Sequence, residues 1–325
     1  MSDRTVTDTG RAWAGDVLAG GDRLASGLWV AAGVLFWGWI GLRWFTDWVL
    51  PAGVGPAPGE PFVSPAAVEA LGVVLTVDLV VIVLNFDFVG VFESLAFAVE
   101  FTPRLASAAW LTVVITAVSM ALGLLIAVPL SVARVYGDRS KWLSLAFVEL
   151  LRGTPLLAQL FVLYYALNFS QYFRGVPASP WLPGTAVYVA VVGFTINSAA
   201  YQSEYIRSAL LSVDERQLTA ARAVGLSKLD GIRHVVLPQG LRFAIPGWSN
   251  ELVYLVKYSS LAAFITVPEL FEVARSIAAD NFDYLGVFTL VAVMYLGLVI
   301  TAAKLMGRLE DRLSIPGLGS ADPER

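Results

Sequence analysis

Residues 219–242 read TAARAVGLSKLDGIRHVVLPQGLR, a charged and regularly punctuated stretch. It lies between two apolar runs, 184–206 and 244–266, each near the roughly 20 residues that cross a bilayer. Ser212 followed by Glu215 has the spacing of a capping box and predicts a helix start just before the stretch. Ala220, Ala221, Ala223 and Val224 continue that helix. Gly225 falls where a left-handed residue closes a helix. Ser227 with Asp230 offers a second capping box, and Ile232, Val235 and Val236 share one side of the helix it opens. Pro238 predicts the end of that helix. The segment therefore reads as helix, glycine turn, helix, stop, set between two crossings.

The rest of the chain supports a membrane setting. Of 325 residues, 57% are hydrophobic and only 15% charged, with a mean hydropathy of +0.69. Soluble domains carry more charge than this. The apolar runs fall at about 28–49, 66–88, 106–132, 143–168, 184–206, 244–266 and 285–306, at roughly 20 residues per crossing. They are continuously apolar, which excludes the alternation of a β-barrel. The expected fold is all-α, a polytopic transmembrane bundle of seven spans, with six or eight as alternatives. Residues 89–104 read either as an interfacial helix or as part of a further early crossing. Thr102 and Pro103 read as a helix start. Residues 1–25 read as a solvated tail, and Asp78 stands in the middle of an early run.

The chain has no cysteine and a single histidine, His234, which argues against disulfides and against Cys- or His-ligated metals. The net charge of −4, with few lysines, suits a cytoplasm of high ionic strength. Basic residues collect in alternate loops. Arg134, Arg139 and Lys141 form one group, and Arg216, Arg222, Lys228, Arg233 and Arg242 a second. Lys304, Arg308 and Arg312 form a third, while the intervening loops hold Arg174 and Arg275. The positive-inside rule then places 133–142, 207–243 and the C-terminus in the cytoplasm of a multi-pass cell-membrane protein.

With the segment placed, its residues resemble the EAA loop of ABC-importer permeases of the binding-protein-dependent class. Thr219, Ala220 and Ala221 stand at the Glu-Ala-Ala positions. Gly225 and Leu226 follow, and Val235, Val236, Leu237 and Pro238 close the pattern. ELLRGTPLLAQLFVLYY (149–165), NSAAYQSEYIRSAL (197–210) and LVKYSSLAAFITVPEL (255–270) are similar to core stretches of the polar amino acid subfamily. The resemblance spans about 105–313. Thr219 departs from the usual Glu, and Tyr258 from the Asp that commonly follows the Lys.

The resemblance implies a five-helix type I importer core at 105–313, preceded by a 26–104 segment of about two extra helices and followed by a 314–325 tail. It implies a dimer with a second copy or a sister permease, an extracellular substrate-binding protein, and a cytoplasmic ABC ATPase pair. That ATPase would grip Thr219, Ala220, Ala221, Gly225, Leu226, Leu237 and Pro238. The chain holds no Gly-x-x-x-x-Gly-Lys-Ser/Thr loop, so ATP and Mg are expected on the partner and no cofactor or catalytic residue on this chain. Nothing points to nucleic acid.

Polar residues inside predicted spans are candidates for a solute path. Asn197, Tyr201 and Glu204 fall on one face of the fifth run, and Asn250, Tyr254 and Lys257 repeat the spacing on the sixth, beside Glu251. Lys257 and Glu204 carry the charges that a zwitterion's carboxylate and ammonium would meet. Polar faces also join helices, and Glu204 can pair with Arg207 one turn on. An ion-coupled secondary transporter and a non-transporting scaffold stand as alternatives. The first would show internal repeats, which the halves of this chain lack.

Overall fold

The computed structural model describes residues 5–50, 55–71, 88–177, 182 and 184–313. Among these, helix is the regular structure and no strand element occurs. The chain divides into residues 1–57 and 58–325.

In the first unit, α1 runs from Thr5 to Trp48, reaching back into the stretch expected as a tail. Gly27–Trp48 is long and apolar enough to cross a membrane. Arg43 and Asp47, one turn apart, form a two-pronged pair at 2.6 and 3.0 Å. Arg43 also donates to the carbonyl of Ala57 at 2.9 Å. Trp44 stacks on Trp48 and meets Trp37 edge-on, a density of indoles typical of a membrane boundary.

In the second unit, the described part of α2 covers 65–71. Most of the run 66–88, with Asp78, lies outside the described residues. Helix α3 is continuous from Phe88 to Tyr136, so 89–104 and 106–132 are one helix and the boundary expected at 104 falls within it. Pro103 does not start a helix. It removes the donor that would meet the Val99 carbonyl one turn back, and the neighbouring Thr102 hydroxyl donates to the Ala98 carbonyl.

The run 143–168 is not one rod. Helix α4 (Ser140–Arg152) and helix α5 (Leu156–Phe161), with its π-helical continuation Val162–Ala166, are bent by 100° around Gly153–Pro155. Gln159 fixes the bend by donating to the carbonyls of Leu151 and Thr154 and to the Thr154 hydroxyl, at 2.7–3.0 Å.

Helix α6 (Thr185–Ser212) is the centre of the bundle and packs most extensively on α3. Its polar residues Asn197, Ser198, Gln202 and Ser203 are buried in protein and so kept from lipid. Gln202 donates to the Met120 carbonyl, and Ser131 on α3 donates to the Ser203 carbonyl. Gly123 lets the helices approach, since a Cβ there would lie 2.8 Å from the Gln202 amide and 3.2 Å from backbone.

Helices α7 (Glu215–Ala223), α8 (Lys228–Gly231) and α9 (Leu237–Phe243) follow, then α10 (Ile245–Tyr258) with a 3₁₀ continuation to Ile265. The short α11 (Leu270–Asn281), which no apolar run predicts, precedes the long α12 (Tyr284–Leu313). One apolar core gathers Leu111, Ile115, Leu160, Phe194, Leu255 and Ile265. A second gathers Ala127, Ile206, Leu210, Val213 and Val236 beneath the segment quoted first.

Candidate functional site

The segment 212–238 folds as two helices about a glycine. Its first cap is Asp214, whose Oδ1 accepts from the Arg216 N–H at 2.9 Å. Ser212 does not cap it. Ser212 closes α6 and donates to the Ala209 carbonyl, and Glu215 is already the first residue of α7. At the other end, Leu226 N–H reaches the Ala221 carbonyl at 3.1 Å and Gly225 N–H reaches Arg222 at 3.0 Å. These are the two bonds of a Schellman closure. Gly225 has φ +93°, and a Cβ there would meet nothing within 4 Å, so backbone angle and not space requires glycine. Ser227 caps α8, accepting from the Asp230 N–H at 3.1 Å and donating to its carboxylate at 2.6 Å.

Pro238 does not stop the second helix. Residues Ile232–Val236 form a π-turn in which Leu237 N–H bonds the Ile232 carbonyl, one residue further back than usual. The helix then restarts with Pro238 in the first turn of α9, where its missing N–H is not needed.

The pair of helices is clamped to the bundle. A Cβ on Gly231 would lie 2.9 Å from Leu218 and 3.4 Å from Ala221, so α7 and α8 touch closely there. Lys228 Nζ donates to the Tyr136 carbonyl at the end of α3, at 3.0 Å. Of the residues predicted to meet a partner, Ala221 is buried in that contact and Leu237 is half-buried. Thr219, Ala220, Gly225, Leu226 and Pro238 are exposed, and the Thr219 hydroxyl is returned to its own helix at Glu215. Around the glycine stand Val224, 80% exposed, and Leu229, 68% exposed. Both are large aliphatic side chains left exposed beside the turn.

The predicted path residues separate into two places. On α10, Asn250, Tyr254 and Lys257 lie on an exposed face, with Tyr254 stacked on Tyr258 and the Lys257 ammonium 6.0 Å from the Tyr254 ring centre. Glu251 is buried behind them. On α6, Tyr201 and Glu204 meet Arg152. The guanidinium lies 5.4 Å from the Tyr201 ring centre, and the Glu204 carboxylate 3.9 Å from Arg152 Nη1. Glu204 is held by Arg207, at 2.9–3.1 Å. Asn197 belongs to neither place. It is buried and donates to Gln159 Oε1 at 3.0 Å, behind the bend between α4 and α5.

Tyr205, which carried no sequence signal, lies against Gly247 and joins the two helices. A second unpredicted centre is Glu269, fully buried at the start of α11. It accepts from the N–H groups of Phe271 and Glu272 at 3.0 and 2.9 Å and from the Tyr295 hydroxyl at 3.0 Å.

Residues 119–315 match the model of the binding-protein-dependent transport system inner membrane component. The chain belongs to that family. This inner membrane component is 37% identical over 216 residues to a probable amino-acid ABC transporter permease, YckA of Bacillus subtilis strain 168, covering 66% of this chain and 91% of the relative. It is 35% identical to the glutamine transport system permease GlnP of Escherichia coli K12, covering 66% of this chain and 94% of the relative. Among solved structures, a crystal structure of an amino acid ABC transporter with histidines superposes with a TM-score of 0.56 at 26% identity, over 70% of this chain and all of that one. An inward-facing methionine transporter, MetNI, shares the fold at a TM-score of 0.54 and 21% identity, over 65% of this chain and 96% of that one.

Proposed function

We propose that this permease moves polar amino acids into the cell, driven by a separate ATPase pair that grips residues 212–238. The helix–glycine–helix segment carries this reading. It is stiff, it is anchored to α3 through Lys228, and it presents Val224 and Leu229 to solvent. The names borne by the relatives support amino acids as the solute class. The basic loops favour the cytoplasmic side for 133–142, 207–243 and the C-terminus, the side on which an ATPase would work with its ATP and Mg. A second permease copy or a sister chain completes the membrane part, and an external binding protein delivers the solute. Lys257, Asn250 and Tyr254 line the path, with Glu251 buried behind them; Tyr201 and Glu204 form its second polar place, on α6, and Asn197, set apart from both, holds the bend between α4 and α5.

Gly225→Val tests the docking role. It forces a β-branched residue to φ +93°, at about 1–2 kcal/mol or more, so the turn opens and its two aliphatic side chains separate. Co-purification of the ATPase and ATP-driven uptake should both fall while the chain still inserts in the membrane. Normal coupling in that variant removes 212–238 from the interface.

A further inference from the structure

Charge converges where α3, α4 and α6 meet. Both oxygens of Glu204 are engaged by Arg207, with Nε at 3.1 and 3.0 Å and Nη2 at 2.9 Å. Arg134, from the last turn of α3, and Arg152, from the last turn of α4, each bring an Nη1 to 3.9 Å from the same carboxylate. That distance is within ion-pair range but too long for a hydrogen bond. Three guanidiniums thus surround one carboxylate that the third already satisfies. Arg134 Nη1 is buried with no hydrogen-bond partner. Three guanidiniums against one carboxylate leave an excess of positive charge at this corner. Leaving such a donor unmet is costly, and an arriving oxygen would relieve it.

The cluster also has an opening. The side chains of Glu204 and Arg134 are 15% and 20% exposed and form its floor, while Arg207 at 29% and Arg152 at 37% form its rim. Arg152 is fixed over the Tyr201 ring, so the rim is preorganised. Arg134 stands two residues before Tyr136, the anchor of Lys228, which puts the cluster beside the docking segment. A planar carboxylate is the group that a guanidinium binds through two parallel hydrogen bonds.

We propose that Arg134, Arg152 and Arg207 form a binding site for a small carboxylate, for which Glu204 is the internal competitor. The carboxylate has two sources: the transported amino acid as it leaves, or an organic acid of the cytoplasm. Only the first source rests on the transport reading above.

The test uses the full-length chain with the subunits that co-purify, held in lipid nanodiscs. Its thermal unfolding midpoint is titrated with sodium acetate against sodium chloride at equal ionic strength. Acetate should raise the midpoint saturably and chloride should not. Arg134→Gln should raise the half-saturating acetate concentration about tenfold, the loss of one charge-assisted bond. Glu204→Gln should lower it several-fold by removing the competitor. A purely structural cluster would lower the midpoint in both variants without shifting half-saturation in opposite directions. Arg152→Gln, on the rim, repeats the test should Arg134→Gln fail to assemble. No acetate-specific stabilisation, or one half-saturation shared by all the proteins, overturns the site. Glutamine displacing acetate, with glutaminamide inert, assigns the carboxylate to the solute. Acetate binding that no amino acid taken up by the same transporter displaces assigns it to a cytoplasmic acid, and the site stands in either case.

Discussion

Replacing Glu269 by alanine separates two forces that hold α11 in the bundle. Glu269 is extended, with ψ −178°, and its two oxygens accept from the N–H groups of Phe271 and Glu272. It is the N-cap of α11, a role worth about 1 kcal/mol, with a range of roughly 0.5–2. Its third contact crosses to α12, where the Tyr295 hydroxyl donates at 3.0 Å. Hydrogen bonds between helices in lipid average about 0.6 kcal/mol, because the chain finds other partners when it opens. Thr112 at 3.5 Å adds little. The cap should therefore outweigh the cross-helix bond. Adding about 1 kcal/mol for lost side-chain packing, Glu269→Ala should cost about 2–3 kcal/mol, while Tyr295→Phe should cost under about 1 kcal/mol. Unfolding in mixed micelles, followed by far-ultraviolet circular dichroism, measures both. Equal losses in the two variants would refute this ordering and make the α11–α12 bond the main support.

Gly247→Val would place a Cβ 2.7–3.0 Å from Cγ, Cβ and Cδ1 of Tyr205, atoms at the root of the ring that cannot swing aside. The overpacking should lower stability by about 1–3 kcal/mol, and an unchanged unfolding midpoint would contradict so close a contact between α6 and α10. Lys257→Met keeps length and removes charge from the exposed α10 face, so ATP hydrolysis by the assembled transporter should persist while uptake in proteoliposomes drops sharply. Undiminished uptake takes Lys257 off the path.

Local rules made the glycine turn legible. Gly225 and the Ser227 cap needed only the residues beside them, and both stand as read. Ser212 yields the cap to Asp214, two residues on, which competes for the same role and is also a strong cap. Pro238 escapes the stop rule because that rule assumes an unbroken α-helix, and a π-turn changes which donors are required. The bend at Gly153–Pro155 has a local cause in its proline, which breaks the helix. Its 100° depends on Gln159 and, behind it, on Asn197, 38 residues away, which no local pattern reveals. Glu269 left no trace for the same reason, since glutamate is an unusual cap and its partner Tyr295 is remote. Arg134 reads in sequence only as one of a basic group and Arg152 carries no signal of its own; folding sets both on one carboxylate.

If an ATPase grips residues 212–238 as proposed, the clamps on that segment define where its push must go. Helix α6 ends at Ser212 and α7 begins at Glu215, so two residues join them and little slack separates a moving α7 from α6. Lys228 ties the same segment to the last residue of α3. Gly240 closes the third side, since a Cβ there would lie 2.8 Å from the Leu210 side chain on α6. Force entering at Gly225 is therefore shared between α3 and α6 at their ends. Those are the helices that carry Arg134, Glu204 and Arg207, and their remaining partner, Arg152, sits at the break between α4 and α5. Packed interfaces move between discrete arrangements and do not stretch. The charge cluster is thus the place where a displacement of α6 against α3 is either absorbed or handed to the bent span. An arriving carboxylate that draws Arg134 or Arg152 away from Glu204 would loosen this corner of the joint at the same moment.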